Sequence, residues 1–301
     1  MDVTLDSLAR SFAEAGYVTT EDDQILITVF LALKLGKPLL VTGAPGVGKT
    51  EIAKVLSKGF KAELIRLQCY EGLDEHKALY EWNYQRQLLK IQMMKDSGST
   101  TEKDLFSSEY LLARPLLKAI QNQNPTVLLI DEIDKTDEEF EAFLFEVLSD
   151  FQVSIPELGT LQAKQIPMVV LTSNGERDLS DGLKRRCVFL YVELPSVEKE
   201  YKILRAKAPE AGEKLSGQVA TAVSLLRSKL ELRKLPSISE TLDWVRALVA
   251  LEAERLTPKL IDNTINLLLK NKEDLDIFEN NLGSERLVDQ VLGLDQKISG
   301  R

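Results

Sequence analysis

The stretch VTGAPGVGKTEIAKVL, Val41 to Leu56, decides how the rest of the chain is read. An apolar run, PLLVTG from Pro38, leads into it and reads as a buried strand ending at Gly43. Gly43-Ala44-Pro45-Gly46-Val47-Gly48-Lys49-Thr50 then fits the spacing G-x-x-x-x-G-K-[ST] of a phosphate-binding loop. In such a loop the backbone N–H groups all turn inward on phosphate oxygens, which a chain carrying side-chain bulk cannot do. The helix predicted from Lys49 adds its free N–H groups and the positive end of its dipole. Lys49 sets a charge opposite the outer phosphates, Thr50 offers a hydroxyl to Mg²⁺, and Glu51 follows on the first helical turn. The plain alternative is a glycine-rich strand-to-helix turn without a ligand. The strand before it and the helix after it, with Ile52, Val55 and Leu56 on one face, favour the nucleotide reading. ATP and Mg²⁺ are the expected cofactors.

Four further short apolar runs read as strands: ELIRLQ from Glu63, TVLLID from Thr126, PMVVLTS from Pro167 and CVFLYVEL from Cys187. Helical patterns separate most of them. Thr20 with Asp23 reads as one helix start, and Thr136 with Glu139 as a capping box before Phe140, Phe143, Leu144, Val147 and Leu148. Buried runs alternating with helices predict an α/β fold, a five-stranded parallel sheet with helices on both faces. After Pro195 no strand run follows. Helical patterns succeed one another, one capped by Ser237 and Glu240 and one opened by Thr257 and Pro258. The expected division is an ATPase domain over 1–195, a helical lid over 196–280, and a tail over 281–301 whose order the sequence leaves open. Lys95 to Asp104 reads as a polar, mobile connection.

In VLLIDEID, Val127 to Asp134, four apolar residues lead into Asp131 and Glu132. Open parallel sheets bind ligands at the carboxyl ends of their strands. Asp131 is placed to hold the magnesium, directly or through water, and Glu132 to orient and deprotonate an attacking water. A strand ending in a helix cap also favours Asp, but that account does not explain the phosphate loop beside it. Glu132 argues for hydrolysis over phosphotransfer to a small molecule. The fourth strand ends at Asn174, which has two readings. Its amide holds the water between Glu132 and the γ-phosphate, or Asn174-Gly175 is an ordinary turn. Lys184, Arg185 and Arg186 precede the fifth strand, either as cations at a helix C-terminus or with one arginine reaching a neighbouring subunit's γ-phosphate. Such fingers are worth roughly 10³–10⁵ in rate in GTPases.

The formal net charge of −9 is a poor match to a nucleic-acid binder, which carries a basic face. Two cysteines, Cys69 and Cys187, suggest neither a disulfide framework nor zinc spacing and fit a reducing cytosol. The single His76 reads as a surface helix residue. MDVTLDSLARSFAEAG lacks the basic and apolar segments of a signal peptide, and no run suffices to span a bilayer. A cytoplasmic location is expected.

Taken together, the phosphate loop, Asp131-Glu132, Asn174, the arginine before the fifth strand and the helical lid resemble an AAA+ ATPase. The Arg-Arg-Cys ending resembles the finger of the clamp-loader and MoxR branches, with Arg186 aligning best and Arg185 next. LIRLQCYEGLDEHKALYEWNYQRQLL (Leu64 to Leu89) and LPSISETLDWVRAL (Leu235 to Leu248) are similar to MoxR-type ATPases of the CoxD-like group, accessory to carbon monoxide dehydrogenase maturation. The resemblance implies a ring, expected to be a hexamer of this chain. It also implies two partners: a von Willebrand factor type A domain protein and a molybdenum hydroxylase. MoxR-type lids carry a sensor arginine where this chain has Ser239; Arg246 lies about two turns later. Tyr80, Trp82 and Tyr84 alternate as a short ribbon, the helix-2 insert by resemblance, and Phe151 to Pro167 reads as a hairpin around Glu157-Leu158-Gly159-Thr160. Both suit contact with a partner protein, or ordinary packing. The competing classes are a clamp-loader-like nucleic-acid machine, an activase-like remodeller of another enzyme, a nucleotide-gated scaffold and a small-molecule kinase.

Overall fold

Apolar runs bounded by glycine and polar turns become strands, and in the structure, a computed structural model describing residues 3–19, 24–94, 105–156 and 158–299, all five do so. They are β1 (Leu39–Gly43), β2 (Glu63–Gln68), β5 (Thr126–Asp131), β8 (Met168–Ser173) and β9 (Val188–Val192). They form one parallel sheet in the order β2-β5-β8-β1-β9. The register pairs Gln68 with Asp131 across β2 and β5, Ile130 with Leu171 across β5 and β8, and Thr42 with Ser173 across β1 and β8. The carboxyl ends of β2, β5, β8 and β1 therefore lie side by side.

Strand β5 shows why its sequence is apolar at every position. Alternate strand residues face opposite sides of a sheet. Leu128 and Ile130 join a core with Leu116, Leu117 and Ile120 of helix Pro115–Gln121 and Leu144, Val147 and Leu148 of helix Glu138–Asp150. Val127 and Leu129 are fully buried but lie outside that cluster. Helix Lys49–Gly59 buries Ile52, Ala53, Val55 and Leu56.

Two smaller ribbons accompany the sheet. β3 (Tyr80–Trp82) pairs antiparallel with β4 (Leu111–Ala113), and β6 (Gln152–Ile155) with β7 (Gly159–Gln162). The second is the expected hairpin; Glu157 at its turn lies outside the described residues. The first corrects the aromatic ribbon. Tyr84 is not on it but opens helix Tyr84–Met94, where it is exposed. Tyr80 and Trp82 are buried, Trp82 packing edge-on against Tyr80 and Phe106. For these two rings the packing account holds and the partner-contact account does not.

The cap before helix Glu138–Asp150 is a second correction. Asp137, not Thr136, accepts from the Phe140 N–H. The Thr136 hydroxyl donates instead to the Ile133 carbonyl, closing the preceding turn. The Ser237–Glu240 capping box and the Thr257 cap form as expected, and His76 is exposed on helix Glu75–Ala78. The cap expected at Thr20 and Asp23 and the connection Lys95 to Asp104 lie outside the described residues.

The chain divides into two compact units. The first comprises 1–11, 24–43 and 49–191; the second comprises 12–23, 44–48 and 192–301. Among the described residues the second unit carries helices and no strand. Its core gathers Val223, Leu226, Trp244, Leu248, Ile261 and Phe278. Helix Gly283–Ser299 occupies most of the stretch the sequence left open, and its Leu287, Val288 and Val291 are buried in the same core. Among the described residues no helix is long and apolar enough to cross a membrane, and Cys69 and Cys187 are free thiols.

Candidate nucleotide site

The loop after β1 turns through Gly46 at φ +78° and Gly48 at φ +96°, backbone angles that side-chain-bearing residues rarely adopt. A Cβ built on Gly48 would meet nothing within 4 Å, so at Gly48 it is the backbone angle, and not a close neighbour, that calls for glycine. Lys49 is buried, and its Nζ donates to the Gly43 carbonyl at 2.7 Å. Burial lowers the Lys49 pKa from its usual value; Asp134, Asp131 and Glu132, in that order, oppose the shift. Glu51 pairs with Lys54 on the same helix at 3.4 Å.

A cross-strand lattice builds the acidic end of β5. Asp131 is 3% exposed. Its Oδ1 accepts from Thr50 Oγ1 at 3.1 Å and Thr172 Oγ1 at 2.5 Å, and its Oδ2 from Arg66 Nη2 at 2.5 Å. The expected pair, Thr50 and Asp131, is therefore together. Hard oxygen donors from a hydroxyl and a carboxylate suit Mg²⁺, which prefers one or two carboxylates plus phosphate oxygens and water.

Glu132 leaves the strand in the left-handed region, φ +60° and ψ +50°. A non-glycine residue there costs on the order of 1–3 kcal/mol unless its surroundings fix it. Here Thr172 Oγ1 accepts from the Glu132 N–H at 2.9 Å, and the Lys135 N–H closes on the Glu132 carbonyl at 3.0 Å. The turn separates the two carboxylates, with Asp131 inward and Glu132 a third exposed. Glu132 Oε2 accepts from Gln68 Nε2 at 2.9 Å and from Lys135 Nζ at 2.7 Å. Sequence reading missed Gln68 and Arg66. The only signal was their position near the end of the strand that pairs with β5.

Asn174 follows β8, and its backbone N–H donates to Asp134 Oδ2 at 3.0 Å. Arg185 and Arg186 end helix Asp181–Arg186, whose cap Ser180 donates its N–H to Glu141, a fully buried carboxylate, at 2.9 Å. Arg186 lies over the Phe145 ring, 4.8 Å from its centroid, with Nε donating to Ser149 Oγ at 2.9 Å. Arg185 is exposed.

Within the second unit, Ser239 donates both its N–H, at 3.2 Å, and its hydroxyl, at 3.1 Å, to the Gly46 carbonyl. Arg246 turns along its own helix, 4.0 Å from Asp243 and 3.5 Å from the Lys207 carbonyl. A Cβ on Gly46 would stand 2.2 Å from the Ser237 hydroxyl. Gly46→Ala thus combines a left-handed alanine with a displaced helix cap. It is expected to destabilise the second unit by about 2–3 kcal/mol in chemical denaturation. A loss under 0.5 kcal/mol would show that Ser237 moves aside freely.

A strand β1 that ends in a phosphate loop, an acid-tipped β5 separated from β1 by β8, and the strand order β2-β5-β8-β1-β9 make up a P-loop fold of the AAA+ type. Residues 38–187 match the AAA domain family, dynein-related subfamily, and form an AAA domain. The chain is 27% identical over 219 residues to the uncharacterized protein YojN of Bacillus subtilis (strain 168); the match spans 70% of this chain and 65% of that protein. Among solved structures, the Thermotoga maritima RuvB Holliday junction branch migration motor is similar at 15% identity and a TM-score of 0.48. That alignment covers 92% of this chain and 74% of that one. A Cytophaga hutchinsonii chain described as an ATPase candidate is similar at 13% identity and a TM-score of 0.47, covering 96% and 94%.

Proposed function

We propose that this chain hydrolyses Mg·ATP as a ring, and uses the turnover to remodel a partner protein. The observation that carries the hydrolytic part is the split acid pair at the end of β5, Asp131 bonded to Thr50 and Glu132 turned outward from it. In this reading the loop Gly43 to Thr50 holds the phosphates, and Thr50 and Asp131 hold Mg²⁺, which neutralises phosphate charge when bound. Glu132 takes the proton of the attacking water, and the Asn174 amide positions that water.

The ring part rests on the arginines. Arg186 has a fixed geometry on Phe145 and Ser149, as a residue presented to a neighbouring subunit needs. The family resemblance adds a hexamer of MoxR type, a von Willebrand factor type A domain protein as companion, and a molybdenum hydroxylase as substrate. A dry, closed metal centre requires local opening of a folded enzyme for late insertion, work that ATP turnover can drive.

Mixing tests the shared site. Arg186→Ala is expected to bind ATP and assemble yet hydrolyse poorly, as is Glu132→Gln. Each complete site needs Glu132 from one subunit and Arg186 from the next, so phosphate release should reappear when the two inactive proteins are combined. Mixed rings that never recover activity, with Arg185→Ala behaving in the same way, would refute the shared site.

A further inference from the structure

The third carboxylate of VLLIDEID has no role in the chemistry above, yet it is among the most buried acids of the chain. Asp134 is 4% exposed. It sits in the short 3-10 turn Ile133–Lys135 that directly follows Glu132. Its Oδ2 accepts two backbone N–H groups from the loop after β8, Asn174 at 3.0 Å and Glu176 at 2.9 Å. Its Oδ1 is buried and has no hydrogen-bond partner among the described residues. Burying a carboxylate is unfavourable unless it is hydrogen-bonded, and the two N–H groups held by Oδ2 are the bonds that offset this cost.

The geometry shows what the two bonds fix. Between Asn174 and Glu176 stands Gly175 at φ +76°, exposed to solvent. One oxygen that grips the N–H on either side of that glycine determines the direction in which the chain leaves β8. The opposite tie runs the other way, with Thr172 of β8 holding the N–H of Glu132 after β5. The two strand ends are thus laced together twice. One lace fixes Glu132 and the other fixes Asn174, and both groups must meet at a single water.

We infer that Asp134 is a positioning residue that sets Asn174 in register with Glu132, an inference that rests on the hydrolytic reading above. Its part in placing the water is exerted through the backbone of Asn174.

The test compares Asp134→Ala, Asp134→Asn, Asn174→Ala and the Asp134→Ala/Asn174→Ala double variant. Phosphate release gives kcat, and titration with a fluorescent ATP analogue gives affinity. Asp134→Ala is expected to lower kcat about 10–100-fold, the effect of misplacing a reacting group by about an ångström. Nucleotide affinity should stay within about twofold. Asp134→Asn keeps an oxygen for the same two N–H groups and should restore kcat to within about threefold of the unaltered chain. Because both residues act as one unit, the double variant should be no slower than the slower single variant.

Single effects that multiply in the double variant would overturn the inference, as would Asp134→Ala at full rate beside a slow Asn174→Ala. Asn174→Ala at full rate would remove the water-positioning role and this inference together, so that one variant separates the two failures. Should Asp134→Ala fail to fold, Asp134→Asn still decides: a kcat as low as that of Asn174→Ala, with affinity intact, overturns the role of the oxygen acceptor.

Discussion

Glu132→Gln is expected to bind ATP as the unaltered chain does and to hydrolyse it roughly 10²–10⁴-fold more slowly, the usual weight of a general base. The geometry makes this substitution a clean probe. The amide matches the carboxylate in shape and keeps an oxygen for Gln68 Nε2 and Lys135 Nζ, the two donors that now hold Glu132 Oε2. The backbone ties to Thr172 and Lys135 do not involve the side chain, so the left-handed turn should persist. What the amide cannot do is accept a proton from water at neutral pH. Parallel nucleotide titration and phosphate release separate the two effects; turnover within tenfold of the unaltered chain would place the base elsewhere. The same variant, loaded with ATP, is the natural trap for the proposed partners. Capture of a von Willebrand factor type A domain protein or a molybdenum hydroxylase would support that reading, and capture of nucleic acid alone would refute it.

The acids and the loop were legible in the sequence because buried parallel strands leave unbroken apolar runs, so a polar residue ending one is conspicuous. Asp131 after Val127–Ile130 is such a case. Gln68 and Arg66 were not legible for the converse reason. They occupy the exposed, alternate positions of edge strand β2, where polar residues carry no local signal. Only the long-range pairing of Gln68 with Asp131 brings them to the site. The misplaced cap has a similar origin. Thr136 and Asp137 are both good caps by type, and the choice is made by the Ile133 carbonyl, which takes the Thr136 hydroxyl. The aromatic alternation of Tyr80, Trp82 and Tyr84 described a ribbon correctly over its first two rings. Burial against Phe106 was beyond a local reading, since it depends on a residue more than twenty positions away.

Arg227→Met is expected to destabilise the second unit by about 3–5 kcal/mol, the cost of leaving a buried charge without its partner. Glu200, on helix Val197–Lys207, is fully buried. Arg227, on helix Gly212–Lys229, meets it with a two-pronged pair, Nη1 to Oε2 at 2.6 Å and Nη2 to Oε1 at 3.0 Å. Thr241 Oγ1, on helix Ile238–Ala250, donates to Glu200 Oε1 at 2.7 Å, and Arg227 Nε donates to the Pro236 carbonyl at 2.8 Å. Three helices and the loop before the Ser237 cap thus converge on one carboxylate. Burial already raises the Glu200 pKa above its usual value, and Arg227 is the main opposing influence. Without Arg227 the folded state holds Glu200 protonated to higher pH than the unfolded state does. Stability is then greatest below the unfolded pKa of a glutamate and falls as pH rises through the folded one. The deficit of the variant should therefore be larger at pH 8 than at pH 5. Fluorescence of Trp244, fully buried in this core and bonded through Nε1 to Thr264 at 2.8 Å, follows the unfolding in a background where Trp82 is replaced by Phe. A deficit independent of pH would mean that Glu200 gains no proton when its partner is removed. Replacing Glu200 and Arg227 together by Leu and Met should recover most of the loss, because the cost lies in the orphaned charge and not in the missing pair.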